Sequence, residues 1–101
     1  MGSRLELQTL LETNFDGCYV YYDPPESVRM SYPAIRFSRK KIDNTFANNS
    51  VYKQNTAYEL ILIYDDPDSD LPMRISRLPM CVHDRAYVAD NLHHEVYTLY
   101  F

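Results

Sequence analysis

The sequence is poor in glycine and cysteine, and it contains no tryptophan. Its 101 residues include two glycines and two cysteines. Loops that cradle phosphate groups need glycine for close approach of the backbone, so this scarcity argues against a nucleotide-binding loop of that kind. The cysteines, Cys18 and Cys81, lie far apart in the sequence. We expect both to be small, buried, reduced side chains rather than a disulfide.

Long apolar runs and an excess of positive charge are also missing. No run approaches the roughly 20 residues that a membrane helix needs, so we expect no membrane partner. Fourteen acidic residues outnumber ten basic ones and give a formal net charge of −4. This balance argues against non-specific binding to duplex DNA, which depends on Lys and Arg at the phosphates. A chain this short supports one modest core, so residues 1–101 are interpreted as a single domain.

Tyrosine, by contrast, is abundant, with ten copies in the chain. Its ring is apolar and its hydroxyl is polar, which suits half-buried strands and protein interfaces. The composition therefore favours a protein that contacts other proteins.

The spacing of apolar residues predicts an α+β fold. A stripe of leucines predicts a helix over about 4–14, and a second helix is expected from Leu71 to Pro79. Strands are predicted at 18–22, 33–42, 56–64, 80–87 and 92–101, with a tight turn through 89–91. The expected order is α-β-β-β-α-β-β, with a mainly antiparallel sheet of four to five strands backed by two helices. Strand 56–64 is apolar on both faces, which predicts a central position.

Residues 44–55 are predicted to form a long loop between two strands. A connection of this length is unusual for a hairpin and indicates either a functional or a mobile segment. Phe46, Val51 and Tyr52 distinguish it from a plain linker.

An acidic segment, Asp65–Asp70, precedes the second predicted helix. Asp66, Asp68 and Asp70 match the first positions of an EF-hand loop, but Leu71 replaces the required glycine and Arg77 the bidentate glutamate. The segment is therefore interpreted as an acidic helix start, where carboxylates suit the helix dipole.

Cys81, His83, His93 and His94 are the remaining candidates for chemistry. Cys81 and His83 share a strand face, whereas His93 and His94 point to opposite faces, so few ligands converge. No signature of a cysteine nucleophile surrounds Cys81. The sequence predicts no catalytic residue, no metal site and no cofactor.

The only basic cluster contains Arg36, Arg39, Lys40 and Lys41. Such charges commonly protect a sheet edge from aggregation. An alternative is an electrostatic contact with an acidic surface, such as the Asp65–Asp70 segment of a neighbouring copy.

Most of the chain resembles the tail terminator proteins of long-tailed bacteriophages and prophages, also called tail-completion or head–tail joining proteins. The residues that carry the resemblance are the N-terminal helix, the Tyr- and Pro-rich segment 20–33, strand 58–64 with the acidic segment that follows, Leu78-Pro79-Met80, and segment 84–97.

This resemblance implies a structural virion protein rather than an enzyme. It implies a hexameric ring at the head–tail interface, assembled in the host bacterial cytoplasm, that caps the tail tube and ends its polymerisation. Its expected partners are further copies of itself, the major tail tube protein, the head-completion or connector protein and, transiently and non-specifically, passing DNA. The competing hypothesis is a free-standing ferredoxin-like module that binds a small ligand or single-stranded nucleic acid.

Within a ring, we expect the contacts between subunits or with the tail tube to come from the basic cluster, the long loop and the acidic segment. The candidate residues are Arg36, Arg39, Lys40, Lys41, Phe46, Tyr52, Lys53, Asp66, Asp68 and Asp70.

Overall fold

The protein folds as an α+β domain with two helices and five strands. The structure, a computed structural model, describes the backbone of residues 4–15, 17–24, 30–47 and 50–101, and their side chains except those of 41, 43–47 and 50–55. The elements in chain order are α1 (Arg4–Asn14), β1 (Tyr19–Tyr22), β2 (Ala34–Ala47), β3 (Ser50–Tyr64), α2 (Leu71–Ser76), β4 (Cys81–Ala89) and β5 (Leu92–Tyr100). Neither helix in this part of the chain has the length and apolarity that a bilayer crossing requires.

The five strands form one sheet in the order β1-β2-β3-β5-β4. β1 runs parallel to β2 and every other neighbouring pair is antiparallel, so the sheet is mixed, although mostly antiparallel. β3 occupies the central position that its two apolar faces predict.

Both helices pack against the same face of the sheet. α1 contributes Leu7 and Leu11, which lie one helical turn apart, and α2 contributes Leu71 and Ile75 with the same spacing. The strand residues in this core include Ile35, Phe37, Leu60, Leu62, Tyr97 and Leu99. α2 is shorter than predicted and ends at Ser76, with Arg77 as its C-cap.

Tyr97 connects the sheet to α2. Its ring is fully buried, and its hydroxyl donates a hydrogen bond to the carbonyl oxygen of Pro72 at 2.9 Å. The sheet therefore holds the first turn of α2 by a polar contact as well as by apolar packing.

The prediction of a long loop at 44–55 is wrong. β2 continues to Ala47 and β3 begins at Ser50, so almost all of this segment is paired strand. The pairing depends on backbone hydrogen bonds, which a polar sequence can make as well as an apolar one. Hydrophobic alternation, which is the signal for a half-buried strand, is absent from this segment, so its sequence does not predict the strands.

The turn between β4 and β5 is tighter than predicted. β4 continues to Ala89, which leaves Asp90 and Asn91 as the two turn residues, with φ angles of 53° and 62°. Positive φ at both positions is the requirement of a type I′ hairpin turn, and Asp and Asn tolerate it better than most residues.

We expect Asn91→Val to destabilise the fold by roughly 1–2 kcal/mol, because a β-branched residue is strained at positive φ. Asn91→Gly is the matched control and should change stability by less than about 0.5 kcal/mol. Urea unfolding of both variants measures the difference. Equal stability of the two variants would show that this turn does not require positive φ.

Candidate interaction surface

A two-stranded arm extends from the end of the sheet. β3 pairs with β5 only from Ala57 to Tyr64, and β2 pairs with β1 only from Ala34 to Phe37. Among the described strands, residues 42–47 and 50–56, which we call the arm, therefore have only each other as ladder partners, and Thr56 alone also accepts a backbone hydrogen bond from Phe101. The molecule is correspondingly long, with dimensions of 51 × 28 × 25 Å. An isolated pair of strands is marginally stable in water, so the arm is suited to contact with another chain.

The edge of β4 is less suited to pairing with another chain. β4 is the last strand of the sheet, but a β-bulge interrupts it between His83 and Arg85. Asp84 and Arg85 are exposed there. Bulges and charges at a sheet edge discourage further strand pairing.

The acidic segment forms an exposed turn before α2. Asp66 accepts a hydrogen bond from the backbone N–H of Asp68 at 2.9 Å, and Ser69 accepts one from the N–H of Leu71 at 3.2 Å. Asp70 occupies the N-cap position, but its side chain makes no capping hydrogen bond. The carboxylates of Asp66, Asp68 and Asp70 are exposed, so all three are accessible to a partner.

The predicted basic cluster does not form a single patch. Arg36 lies opposite Ile61 and Arg39 opposite Tyr58, so the two arginines project from opposite faces of the sheet. The reason is the two-residue period of a strand, which separates side chains three positions apart. Arg39 is exposed and Arg36 is half-buried.

Lys40 belongs to an internal hydrogen-bonded chain. The backbone bulges between Arg39 and Lys41, and Lys40 donates to the hydroxyl of Thr98 at 3.3 Å. Thr98 in turn donates to Asp84 at 2.6 Å, from the bulge of β4. This polar chain connects three strands at the base of the arm, so Lys40 is already engaged within its own chain. The apolar alternation of this strand weakens at 39–41, which is typical of a sheet edge or a bulge, but nothing in the sequence predicts Thr98 as the partner of Lys40.

The other predicted contact residues lie on the arm. Lys53 pairs with Thr45 and Phe46 with Val51, whereas Tyr52 falls at an irregularity in the register. The side chains of Lys41, Phe46, Tyr52 and Lys53 lie outside the described residues. The structure places these positions on paired strands rather than in a loop.

The histidines are held by separate partners. Each packs against a different tyrosine ring: His83 against Tyr97, His93 against Tyr64, and His94 against Tyr87, with centroid separations of 5.1, 5.2 and 4.7 Å. Among the described residues, no group of three or more His, Cys, Asp or Glu side chains is placed to hold a metal ion.

Glu95 connects two of these pairs. Its carboxylate accepts a hydrogen bond from the hydroxyl of Tyr64 at 2.9 Å and contacts Nε2 of His83 at 2.8 Å. Burial, together with the hydrogen bond to Glu95, raises the pKa of Tyr64 to about 12. Tyr64 is therefore protonated at neutral pH and acts as a hydrogen-bond donor.

The two cysteines are free, and they are partly buried where the sequence predicted buried side chains. Burial raises the pKa of Cys18 despite the nearby Arg74, and burial together with Asp84 raises that of Cys81 to about 11. Since the thiolate is the reactive form, both thiols are weak nucleophiles at neutral pH.

The Tyr64–Glu95 contact predicts a dependence of stability on alkaline pH. The unfolded chain ionises Tyr64 near pH 10 and the folded chain near pH 12. The stabilisation is therefore complete below about pH 10 and is lost as the pH rises through about 12, with a total of roughly 2 kcal/mol. Tyr64→Phe keeps the ring but removes the titrating group, so its stability should fall less steeply over this range.

Urea unfolding at about pH 9 and about pH 11.5 measures this difference. Tyr19→Phe is the matched control, because Tyr19 is exposed, and it should follow the wild-type protein. A Tyr64→Phe profile parallel to that of the wild type would contradict the role of Tyr64.

Comparison with known proteins assigns no family to this chain. No protein-family model matches the sequence, and no curated protein matches it significantly. The function must therefore be inferred from the exposed strands and charges.

Proposed function

We propose that this protein is the tail terminator of a long-tailed bacteriophage or prophage. In this role, copies form a ring, expected to be a hexamer, that caps the tail tube and ends its polymerisation. The ring joins the tail to the head-completion or connector protein while DNA passes through its centre. The resemblance of segments 20–33 and 84–97 to tail terminator proteins supports this assignment. The two-stranded arm and the exposed charged segments support a role in assembly.

The arm carries this proposal. A two-stranded ribbon beyond a five-stranded sheet leaves backbone groups on both of its edges without a neighbour among the described strands. Such edges are usually short, charged or covered in proteins that remain monomeric. In the proposed assembly, a neighbouring subunit or the tail tube covers these unpaired strand edges.

The distribution of charge supports a contact between unlike surfaces. Arg39 lies opposite Tyr58, near the base of the arm, whereas Asp65 follows the last residue of β3. The strand rise of roughly 3.3 Å per residue places the two ends roughly 20 Å apart. Because opposite charges lie at opposite ends, two copies attract each other head to tail, and repeated contacts of that kind form a ring when the rotation between copies closes.

The remaining chemistry is consistent with a structural role. Glu95 is engaged by Tyr64 and His83, and both thiols are protonated at neutral pH. The net charge of −4 also suits a conduit, because weak attraction lets DNA slide past the wall.

The alternative role in binding single-stranded nucleic acid receives less support. Such proteins stack bases on exposed aromatic rings. Here Tyr64 and Tyr97 are buried, and the ring of Tyr87 stacks on His94 with Arg85 over it. These three rings are engaged within the chain. Tyr19 and Tyr32 are exposed, but the net charge of −4 opposes binding to a phosphate backbone.

The ring itself is tested by assembly. We expect the isolated protein to be monomeric or weakly associated, because the arm and the charged ends find their partners only in the assembly. With purified tail tubes it should form sixfold rings at the tube ends. Light scattering and electron microscopy measure the two states. A stable compact dimer that ignores tail tubes would contradict the proposal.

The charge contact is tested by reversal and rescue. Arg39→Glu with Lys41→Glu should leave the fold intact but block ring closure, because like charges then face each other. Adding Asp65→Lys and Asp68→Lys to the same chain changes the net charge of residues 65–70 from −4 to zero, which removes the repulsion and should recover part of the ring formation. Asp66 is left unchanged because its carboxylate holds the turn.

Arg77→Glu is the control, since Arg77 is exposed at the opposite end of α2 from the acidic segment and on a different element from Arg39. It should assemble normally. If the double reversal also assembles normally, or if the fourfold variant fails to recover rings, the charged ends do not form the contact.

A further inference from the structure

A cleft lies between the C-terminal ends of the two helices. Its volume is about 250 Å³, and it is lined by Asn14, Phe15, Arg74, Arg77 and Leu78. Asn14 and both arginines are exposed, so the cleft is open to solvent. Neither aspartate nor glutamate is among the described residues that line it, so two guanidinium groups determine its charge. A cleft with this lining suits an anion.

Arg74 is held in place by the end of α1. Its guanidinium group donates a hydrogen bond to the carbonyl oxygen of Asn14 at 2.8 Å and lies over the ring of Phe15, 5.3 Å from the centroid. The bond to Asn14 uses one of the five N–H donors that a guanidinium group carries. Because the ring and the carbonyl already restrict the side chain, its remaining donors bind an anion with little further loss of conformational freedom.

Arg77 supplies a second positive charge to the cleft. It is the C-cap of α2 and follows Arg74 by three residues, which places the two side chains on the same side of the helix. Its backbone N–H is bonded to the carbonyl oxygens of Arg74 and Ile75. Within the described ranges, no hydrogen bond, ion pair or ring contact engages its guanidinium group. An anion between the two arginines would offset their mutual repulsion.

The pair of charges favours a doubly charged oxyanion. A phosphate monoester carries about −1.5 to −2 charges at neutral pH and offers three strong acceptor oxygens. A carboxylate, or a phosphate in a nucleic acid backbone, carries a single charge and matches only one guanidinium group. The net charge of −4 also disfavours a polyanion more than a small ion, because a polymer meets the repulsion of the whole surface.

We propose that this cleft binds a small ligand that carries a phosphate group, which Arg74 and Arg77 hold between them. The cleft is larger than the roughly 30 Å³ that one water molecule occupies, so a short group attached to the phosphate has space beside Asn14 and Leu78. The site is independent of the proposed ring, because neither arginine belongs to the arm or to the acidic segment.

Titration with inorganic phosphate at about pH 7 tests the site, with the arginine Nε–H signals followed by NMR. The signals of Arg74 and Arg77 should shift together and saturate in the millimolar range. The signal of Arg85 should stay in place, because Arg85 lies on β4 and does not line the cleft. Equal shifts without saturation at all arginines would overturn the site, since they would show only general ion screening.

Arg77→Gln removes one charge from the cleft without disturbing the core, because Arg77 is exposed. It should weaken phosphate binding roughly tenfold, the loss expected for one charge-assisted hydrogen bond. Arg77→Lys keeps the charge but not the planar fork, so its loss should be smaller. Arg85→Gln is the matched control: Arg85 lies over the ring of Tyr87 as Arg74 lies over Phe15, and the change in net charge is the same. Equal losses from Arg77→Gln and Arg85→Gln would contradict a specific site.

Two further probes identify the form of the phosphate. Glycerol 3-phosphate is a monoester: tighter binding than inorganic phosphate would assign the cleft to a phosphorylated small molecule, and equal or weaker binding would assign it to free phosphate. Dimethyl phosphate carries one charge, as the DNA backbone does, and should bind several-fold more weakly. Binding as tight as that of inorganic phosphate would overturn the preference for a double charge. A chain that forms no rings but binds phosphate would overturn the proposed function alone.

Discussion

The structure depends on the burial of β3 between β2 and β5. Leu60 and Leu62 are fully buried on the face that both helices cover, and Ala57 and Ile63 are buried on the other face. Because β3 is apolar on both sides, it must occupy the centre of the sheet. The helices then have a single apolar surface to cover, and the acidic turn and the arm are fixed at opposite ends of the same strand.

Polar contacts determine how the sheet ends at the arm. Lys40 and Asp84 are the extra residues of two bulges on different strands, and Thr98 joins them from β5. Thr98 is 8% exposed, so its hydroxyl needs these partners to offset the loss of water. The bulge in β2 lies just before the arm, whereas that in β4 lies at the edge of the sheet, and both ladders continue beyond their bulges.

Sequence reasoning succeeds where burial produces periodicity. The bounds of α1 and the central place of β3 follow from leucine spacing and from a strand apolar on both faces. It fails at the arm, because Thr45 and Lys53 pair through their backbones and leave no hydrophobic signal. Sequence reasoning also groups Arg36 and Arg39 into one cluster. Closeness in sequence does not reveal which face of the strand each residue occupies. The partners of Glu95 depend on strand order, which spacing does not determine.

The continuity of β3 has a mechanical consequence. The residues that form one side of the arm also form the middle of the sheet, with no hinge residue or loop between them. A pull along the arm is therefore transmitted directly to the hydrogen bonds between β3 and its neighbours, and it loads many of them in parallel rather than one after another. A load applied to the arm therefore passes directly into the core of the same subunit.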